Sequence, residues 1–142
     1  MASRDGREGA DLKRSVATFV NDTYEEELYD DREGTALGRV HITRSFSGDL
    51  EGRSTAELLT AVTGEGSAAY VAIDRISGRL DGREGSFVLQ HHGTVSAREA
   101  LTAGSVVPDS ATGELRGLRG RAQIVVHDDG THELVLEYEL DE

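Results

Sequence analysis

The sequence has 142 residues, no cysteine and a formal net charge of −12 at pH 7. A chain of this length is typical of one domain, which folds without a disulfide or a metal. The absence of cysteine excludes thiol nucleophiles and cysteine-ligated metal centres, and the acidity argues against a nucleic-acid partner. No apolar run is long enough to span a membrane, and the polar N-terminus lacks a secretory signal. We therefore expect a cytoplasmic protein with no membrane partner.

Alternation of apolar and polar residues with a period of two predicts strands along the chain, after a flexible N-terminal tail over residues 1–13. The eight predicted strands cover residues 14–28, 35–47, 53–63, 67–77, 85–95, 97–107, 119–128 and 132–140. Glycine turns separate them, and no strong helical pattern is present, although residues 54–62 are ambiguous. The pattern indicates one all-β domain over residues 14–142, either a sandwich or a closed barrel.

Two segments supply the acidity, and both fall largely on the predicted first and last strands. Residues 22–33 carry seven acidic side chains and one arginine, and residues 128–142 carry seven acidic side chains and no base. Such runs usually form a solvated surface. In a closed barrel the first and last strands pair, so we expect these acids to lie close together and to repel one another. Calcium binding is a weaker interpretation, because Asp30, Asp31 and Glu33 lack EF-hand spacing.

A short pattern, Gly-x-Leu-x-Gly, occurs three times along the chain. The three copies are residues 48–52, 78–82 and 113–117. No predicted helix follows any copy, so a phosphate-binding loop at a helix N-terminus is not supported. We interpret the copies as strand corners in which each leucine closes one end of the core.

The central block YVAIDRISGRLDGREGSFVLQHHG, residues 70–93, resembles a bacterial family known as domain of unknown function 3224. The likeness extends through ITRSFSGDLEGRSTAELL (42–59) and SVVPDSATGELRGLRG (105–120), and covers about residues 15–140. The family is similar in fold to allene oxide cyclase, which implies a single eight-stranded antiparallel barrel of calycin-like type with a central cavity. The family pattern has a small residue after the first histidine, and His92 takes that place here.

Ionisable side chains within apolar strands are the candidates for chemistry. The candidate catalytic residues are Arg44, Glu57, Tyr70, Asp74, His91 and Tyr138, and the candidate ligand-binding residues are Ile42, Phe46, Phe87 and Leu89. If their strand faces point inward, they share one lumen, with Gln90 and His92 outside. Buried charges are unfavourable unless they are paired. The set therefore indicates either internal ion pairs, such as Arg44–Glu57 or Asp74–His91, or a functional cavity.

The same set suggests a mechanism without a metal or a cofactor. Burial would raise the pKa of Glu57 or Asp74 and make it a usable acid or base, and His91 titrates in a suitable range. Arg44 and the tyrosine hydroxyls would stabilise a developing oxyanion. None of the five histidines belongs to an HExxH motif or a His-x-His pair, so a metal site is poorly supported. The segment with His127, Asp128, Asp129 and His132 is interpreted as an acidic hairpin turn in preference to a loose surface metal site.

Three functions remain open from the sequence. The first is an isomerase or cyclase that acts on a small organic molecule by acid/base catalysis. The second is a barrel that binds an apolar or amphipathic ligand without turnover. The third is a structural or stress protein, which could be a homo-oligomer, whose lumen is filled by its own side chains. A lumen smaller than about 300 Å³, the lower limit of typical ligand sites, would favour the third.

Overall fold

Eight antiparallel strands form a closed barrel in the computed structural model of the protein, which describes residues 12–140. The strands are β1 (Lys13–Arg32), β2 (Thr35–Gly48), β3 (Leu50–Thr63), β4 (Ala68–Leu80), β5 (Arg83–Val95), β6 (Ala100–Val106), β7 (Arg119–Val126) and β8 (His132–Glu139). Each strand pairs with the next, and β8 closes the ring against β1. The all-β prediction is confirmed, and the ring distinguishes the barrel from the sandwich. Residues 1–11, most of the expected tail, lie outside the described residues.

Helical structure is nearly absent from residues 12–140. The one helical segment described there is a 3₁₀ turn over Gly113–Leu115. The ambiguous residues 54–62 belong to β3, in which buried Ser54 and Ala56 alternate with exposed Thr55 and Glu57. No helix within the described part of the chain is long and apolar enough to cross a membrane.

The leucines of the three Gly-x-Leu-x-Gly copies close one end of the barrel, which we call the lower end. Leu50, Leu80 and Leu115 are each 1% exposed and belong to the same apolar core cluster. The copy at residues 78–82 ends in a two-residue hairpin, in which Asp81 and Gly82 both have positive φ, 48° and 88°. That conformation is typical of a type I′ turn. The interpretation of the repeats as corners with leucine plugs is confirmed.

The acidic parts of the first and last strands do not face each other, so the expected repulsion between them was wrong. Strand β1 pairs with β8 only through residues 13–19, whereas its acidic residues 25–27 pair with β2. The acids of β8 instead contact basic groups of β7 and its turn. These contacts are Arg119–Glu139 at 2.9 Å, Arg121–Glu137 at 3.4 Å and His127–Glu133 at 2.9 Å. The acidity of β8 is locally compensated.

The connection between β6 and β7, residues 107–118, takes the place of a strand along the lower half of β5. The Thr112 amide donates to the Ser86 carbonyl at 2.8 Å, and the Val88 amide donates to Ser110 Oγ at 3.0 Å. Strand β6 therefore pairs only with the upper half of β5, from Leu89 to Val95. It pairs with β7 through only two residue pairs. We call the line along which two neighbouring strands pair a seam, and the β6–β7 seam is the shortest in the ring.

Candidate functional site

A connected group of polar side chains lies inside the barrel between two apolar clusters. It consists of Arg44 on β2, Tyr70 and Asp74 on β4, and His91 on β5. Below it is the main core, and above it is a small cluster of Val40, Ile42 and Ala56. Arg44, Asp74 and His91 are 6%, 2% and 4% exposed, and Tyr70 is half-buried. The sequence-predicted placement of these four on the inner face is confirmed.

Asp74 is the centre of this group. Its Oδ2 atom accepts a hydrogen bond from Arg44 Nη1 at 2.6 Å and lies 3.3 Å from His91 Nε2. The second nitrogen of the imidazole, Nδ1, lies 2.9 Å from the Tyr70 hydroxyl. The four side chains therefore form one chain of hydrogen bonds, which runs from the buried guanidinium to the half-buried phenol.

Arg44 is fixed by two further contacts. Its Nε donates to Asn21 Oδ1 at 3.2 Å, and its guanidinium lies 5.2 Å from the centre of the Phe19 ring. A planar cation held by an ion pair, an amide and an aromatic face has little freedom to move. Asn21 was not a predicted site residue. Its shared face with Phe19 in the alternating pattern of β1 was the signal that could have identified it.

The charges determine which proton positions the chain of hydrogen bonds favours. Arg44 is always protonated, so the carboxylate form of Asp74 gives a neutral buried pair. A carboxylate only accepts hydrogen bonds, and His91 Nε2 must therefore carry the proton that faces it. In the neutral imidazole Nδ1 is then an acceptor, and the Tyr70 hydroxyl donates to it. Burial is the main cause that raises the pKa of Tyr70, which keeps the phenol protonated.

Two glycines on the neighbouring strands make room for the rings. A Cβ on Gly93 would lie 2.6 Å from Cε1 of Tyr70, and a Cβ on Gly104 would lie 2.6 Å from Cβ of His91. These are the cross-strand partners of the two aromatic residues. A side chain at either glycine would therefore collide with Tyr70 or with His91. Neither glycine was singled out from the sequence.

Two buried polar atoms in this region have no hydrogen-bond partner among the described residues. They are Oδ1 of Asp74 and Oγ of Ser54. Ser54 lies on β3 directly opposite Arg44. Buried polar atoms are nearly always satisfied by protein or by ordered water. Asp74 therefore keeps acceptor capacity beyond the Arg44 and His91 contacts.

A narrow space lies beside His91 on the side away from β4. It is lined by Leu89, His91, Thr102, Ala103, Ala122, Gln123, Ile124 and Leu134. At every point it is too narrow for a water molecule. Because it has no room even for water, this space falls far short of the 300 Å³ or so that a typical ligand site offers. A molecule could occupy it only after the surrounding strands move.

The placement of Glu57 in the lumen was wrong. Glu57 faces outward, and its Oε2 lies 2.5 Å from Nδ1 of His41 on the outer surface. The neighbours Ser54 and Ala56 face inward instead. Large side chains from β2 and β4 occupy this level of the lumen, so β3 contributes small ones. Leu59, which follows Glu57 on the same face of β3, is 47% exposed.

Tyr138 does not join the group, although it is buried as expected. It lies in the lower part of the barrel, where its hydroxyl donates to Asp81 Oδ2 in the β4–β5 turn. Burial, followed by the contact with Asp81, raises the pKa of Tyr138 far above its ordinary value. Alternation predicted the correct face but not the height along the barrel axis. Tyr138 is therefore a structural residue that fixes a turn.

The remaining predicted positions lie where the alternation placed them. Phe46 and Phe87 are in the main core, and Ile42 is in the small upper cluster. Leu89 is also buried and lines the space beside His91. On the outer face of the same strand, the side-chain amide of Gln90 donates to Ser105 Oγ, and His92 is exposed. Of the four candidate ligand-binding residues, only Leu89 borders that space.

The acidic turn between β7 and β8 has the ordinary hairpin contacts. The Thr131 amide donates to Asp129 Oδ1 at 2.9 Å, and His127 Nε2 lies 2.9 Å from Glu133. That hydrogen bond, and then the negative charge of Glu133, raises the pKa of His127. Among residues 12–140, no group of three or more His, Asp or Glu side chains is arranged to hold a metal ion.

Comparison with known proteins places this barrel in a family. The profile of a protein family of unknown function, DUF3224, matches residues 15–138. The crystal structure of a DUF3224 protein of unknown function from Shewanella oneidensis MR-1 is similar, with 36% sequence identity and a TM-score of 0.83. The match covers 92% of this chain and 98% of that chain. A search of curated proteins found no match. The resemblance seen in the sequence is thus confirmed, and the chain belongs to the DUF3224 family.

Proposed function

We propose that the protein is a cofactor-independent isomerase or cyclase that transfers a proton on a small organic molecule. The observation that carries this proposal is the hydrogen-bonded chain Tyr70–His91–Asp74, with separations of 2.9 and 3.3 Å, in which His91 borders an apolar space. An imidazole oriented by a carboxylate and aimed at a hydroxyl is the arrangement that activates the hydroxyl for proton transfer. Here the activated group is a phenol.

The reaction step follows from the proton positions. Tyr70 Oη takes a proton from a carbon of the substrate while its own proton moves to Nδ1 of His91. The imidazolium that forms has its Nε2–H against the Asp74 carboxylate, which stabilises the positive charge. Return of the proton through Tyr70 to a second carbon completes the isomerisation and restores every group. Because burial raises the pKa of Tyr70, a free phenolate is disfavoured, so in this proposal Tyr70 passes the proton on to His91 and does not hold the negative charge itself.

The surroundings define the kind of substrate. Leu89, Ile124 and Leu134 line the space beside His91, so the reacting part of the molecule is apolar. Walls of this kind hold a flexible molecule in one reactive conformation, which is the contribution a cyclase needs from its protein. A substrate that becomes negatively charged is stabilised by the His91 imidazolium, because Asp74 already neutralises the Arg44 cation.

A second candidate function is favoured by the small size of that space. Since it is too narrow for water, the four polar residues could serve only to fix the register of the barrel, as an internal ion-pair network. In that case the protein would be structural, and the network would matter for stability alone. Ligand binding without turnover is the remaining alternative, and it uses the same space.

Solvent deuterium exchange tests the proposal. The protein in D₂O is incubated with a panel of small cyclic and linear β,γ-unsaturated ketones, and NMR follows deuterium incorporation and double-bond migration. We expect at least one ketone to react, and the His91→Gln variant to lose about 100-fold or more of the rate. His92→Gln is the matched control, because the adjacent side chain lies on the outer face. Equal rates in both variants would contradict the proposal.

Chemical shift changes in the same NMR samples separate the alternatives. Shifts of resonances near His91 without exchange would favour a binding protein. No shift and no exchange, together with a large loss of stability in His91→Gln, would favour the structural network.

A further inference from the structure

The seam between β6 and β7 differs from every other seam of the described barrel. Only Gly104–Ala122 and Ser105–Arg121 are paired across it. Two positions beyond the Gly104–Ala122 pair, a side chain replaces the backbone ladder. The Thr102 hydroxyl donates to the Ile124 carbonyl at 3.0 Å and accepts from the Ile124 amide at 3.0 Å. A contact made through a side chain can be broken by a rotation about one bond, without moving either strand.

Empty space lies on both sides of this seam. Inside is the narrow space that borders His91, and outside is a groove of about 350 Å³ with Arg14, Val135 and Glu137 along it. The two spaces share Ala103, Ala122 and Gln123 as a common wall. Two of these three residues are alanines, so the wall is thin where it separates solvent from the imidazole.

The seam also lies directly beside the Tyr70–His91 hydrogen bond. Thr102 is the cross-strand partner of Gly93, over which the Tyr70 ring packs, and Gly104 is the partner of His91. Separation of β6 from β7 would therefore open a way to His91, which borders the inner space and is hydrogen-bonded to the Tyr70 hydroxyl. By contrast, β3 and β4 are paired continuously from Leu50–Leu80 to Val62–Ala68, which closes the opposite wall.

We propose that the β6–β7 seam is the port through which a small molecule reaches His91, and that it opens by local separation of these two strands. Segments with few backbone pairs open at lower free energy than the whole fold. The molecule first binds in the groove outside the seam. When the two residue pairs between β6 and β7 and the Thr102–Ile124 contact break, it can pass between the strands to His91. This inference deepens the proposed function and depends on it only for the identity of the molecule.

A disulfide across the seam tests the port, because the protein has no cysteine of its own. Ala103 and Gln123 are exposed and, by extension of the register, stand opposite each other on the outer face. Directly opposed side chains have Cβ atoms about 4.5–5.5 Å apart, close to what a disulfide needs. The double variant Ala103→Cys/Gln123→Cys is made in a His92→Gln background, so that His91 is the one histidine of its strand.

The probe is diethyl pyrocarbonate, a small reagent that acylates imidazole nitrogen, with modified peptides quantified by mass spectrometry. We expect oxidation of the cysteine pair to slow the modification of His91 about tenfold or more, and reduction to restore it. Exposed His41 is the internal control and should react equally in both states. A second cysteine pair, Thr55→Cys/Arg75→Cys on the outer face of the β3–β4 seam, should leave His91 reactivity unchanged.

Two results would overturn the port. One is an equal rate of His91 modification with the β6–β7 disulfide formed and reduced. The other, which needs no disulfide, is hydrogen exchange in which the amides of Ala122 and Ile124 exchange only on global unfolding, like those of β3. Neither measurement requires turnover. Failure of the proposed isomerase activity would therefore leave this result standing, and the reverse is also true.

Discussion

The imidazole Nε2 of His91 lies 3.3 Å from the Oδ2 atom of Asp74, at a level of the barrel where both side chains are more than nine-tenths buried. The same oxygen accepts a hydrogen bond from Arg44. A buried charge without a partner is strongly destabilising, whereas a buried pair is close to neutral relative to apolar residues. The burial of Arg44 is therefore favourable only while Asp74 is present, and the burial of the Asp74 carboxylate depends in turn on Arg44.

Removal of the Asp74 carboxylate should leave the Arg44 cation buried and uncompensated. We expect Asp74→Ala to lower the free energy of unfolding by about 3–5 kcal/mol in denaturant titrations. Replacement of both partners, Arg44→Met with Asp74→Leu, should recover most of that loss. Glu27→Ala is the control, because its ion pair with Arg39 is exposed and contributes below about 1 kcal/mol. Equal effects of Asp74→Ala and Glu27→Ala would contradict the buried ion pair.

The proton positions in the site can be measured directly by NMR. We expect the neutral imidazole of His91 to carry its proton on Nε2 and to have an unprotonated Nδ1, as the ¹⁵N shifts of the two ring nitrogens will report. The reason is that the Asp74 carboxylate can only accept a hydrogen bond. A protonated Nδ1 in the neutral ring would reverse the direction of the hydrogen bond with Tyr70 and remove the proposed relay.

Gly93 should be intolerant of even a methyl group, because a Cβ there would meet the Tyr70 ring at 2.6 Å and the Leu101 carbonyl at 3.0 Å. We expect Gly93→Ala to destabilise the protein by about 1–3 kcal/mol through overpacking and to break the hydrogen bond between Tyr70 and His91. Gly64→Ala is the matched control, since the nearest atom to its Cβ would be at an ordinary 3.7 Å. A Gly93→Ala variant as stable as Gly64→Ala would show that the ring is free to move.

The hydrogen bond from His127 to Glu133 should be visible in the pH dependence of the β7–β8 hairpin. The raised pKa of His127 means that its contribution to stability is complete below the unfolded value of about 6.5 and is lost as pH rises through the folded value. An NMR titration should show the His127 pKa falling in Glu133→Gln. Glu137→Gln, which removes a carboxylate bound to Arg121 instead, should leave it unchanged. An identical His127 titration in Glu133→Gln would contradict the contact.

The fold was predictable because antiparallel strands give their sequence a period of two. Predicted strands such as 35–47 and 85–95 match β2 (Thr35–Gly48) and β5 (Arg83–Val95) closely. The predicted face of His91 was also correct, since Phe87 and Leu89 share it and the other face has no apolar side chain of comparable size. Where the side chains on one face of a strand are clearly larger and more apolar than those on the other, the sequence predicts correctly which face is buried.

The parts of the site that could not be predicted depend on neighbouring strands. Glu57 was placed on the wrong side because β3 has apolar residues on both faces, and the crowded lumen selects the smaller face. The height of Tyr138 depends on its register with β1 and β7, which alternation does not report. The short β6–β7 seam likewise results from the path of residues 107–118, and no local pattern marks it.

Removal of one oxygen atom tests the central claim, that the Tyr70–His91–Asp74 chain transfers protons to and from a substrate. In Tyr70→Phe the ring remains over Gly93, so we predict that the free energy of unfolding changes by no more than about 1.5 kcal/mol. Deuterium exchange into a responsive ketone should nevertheless fall about 100-fold or more relative to the His92→Gln control. An exchange rate equal to that of His92→Gln would contradict the claim.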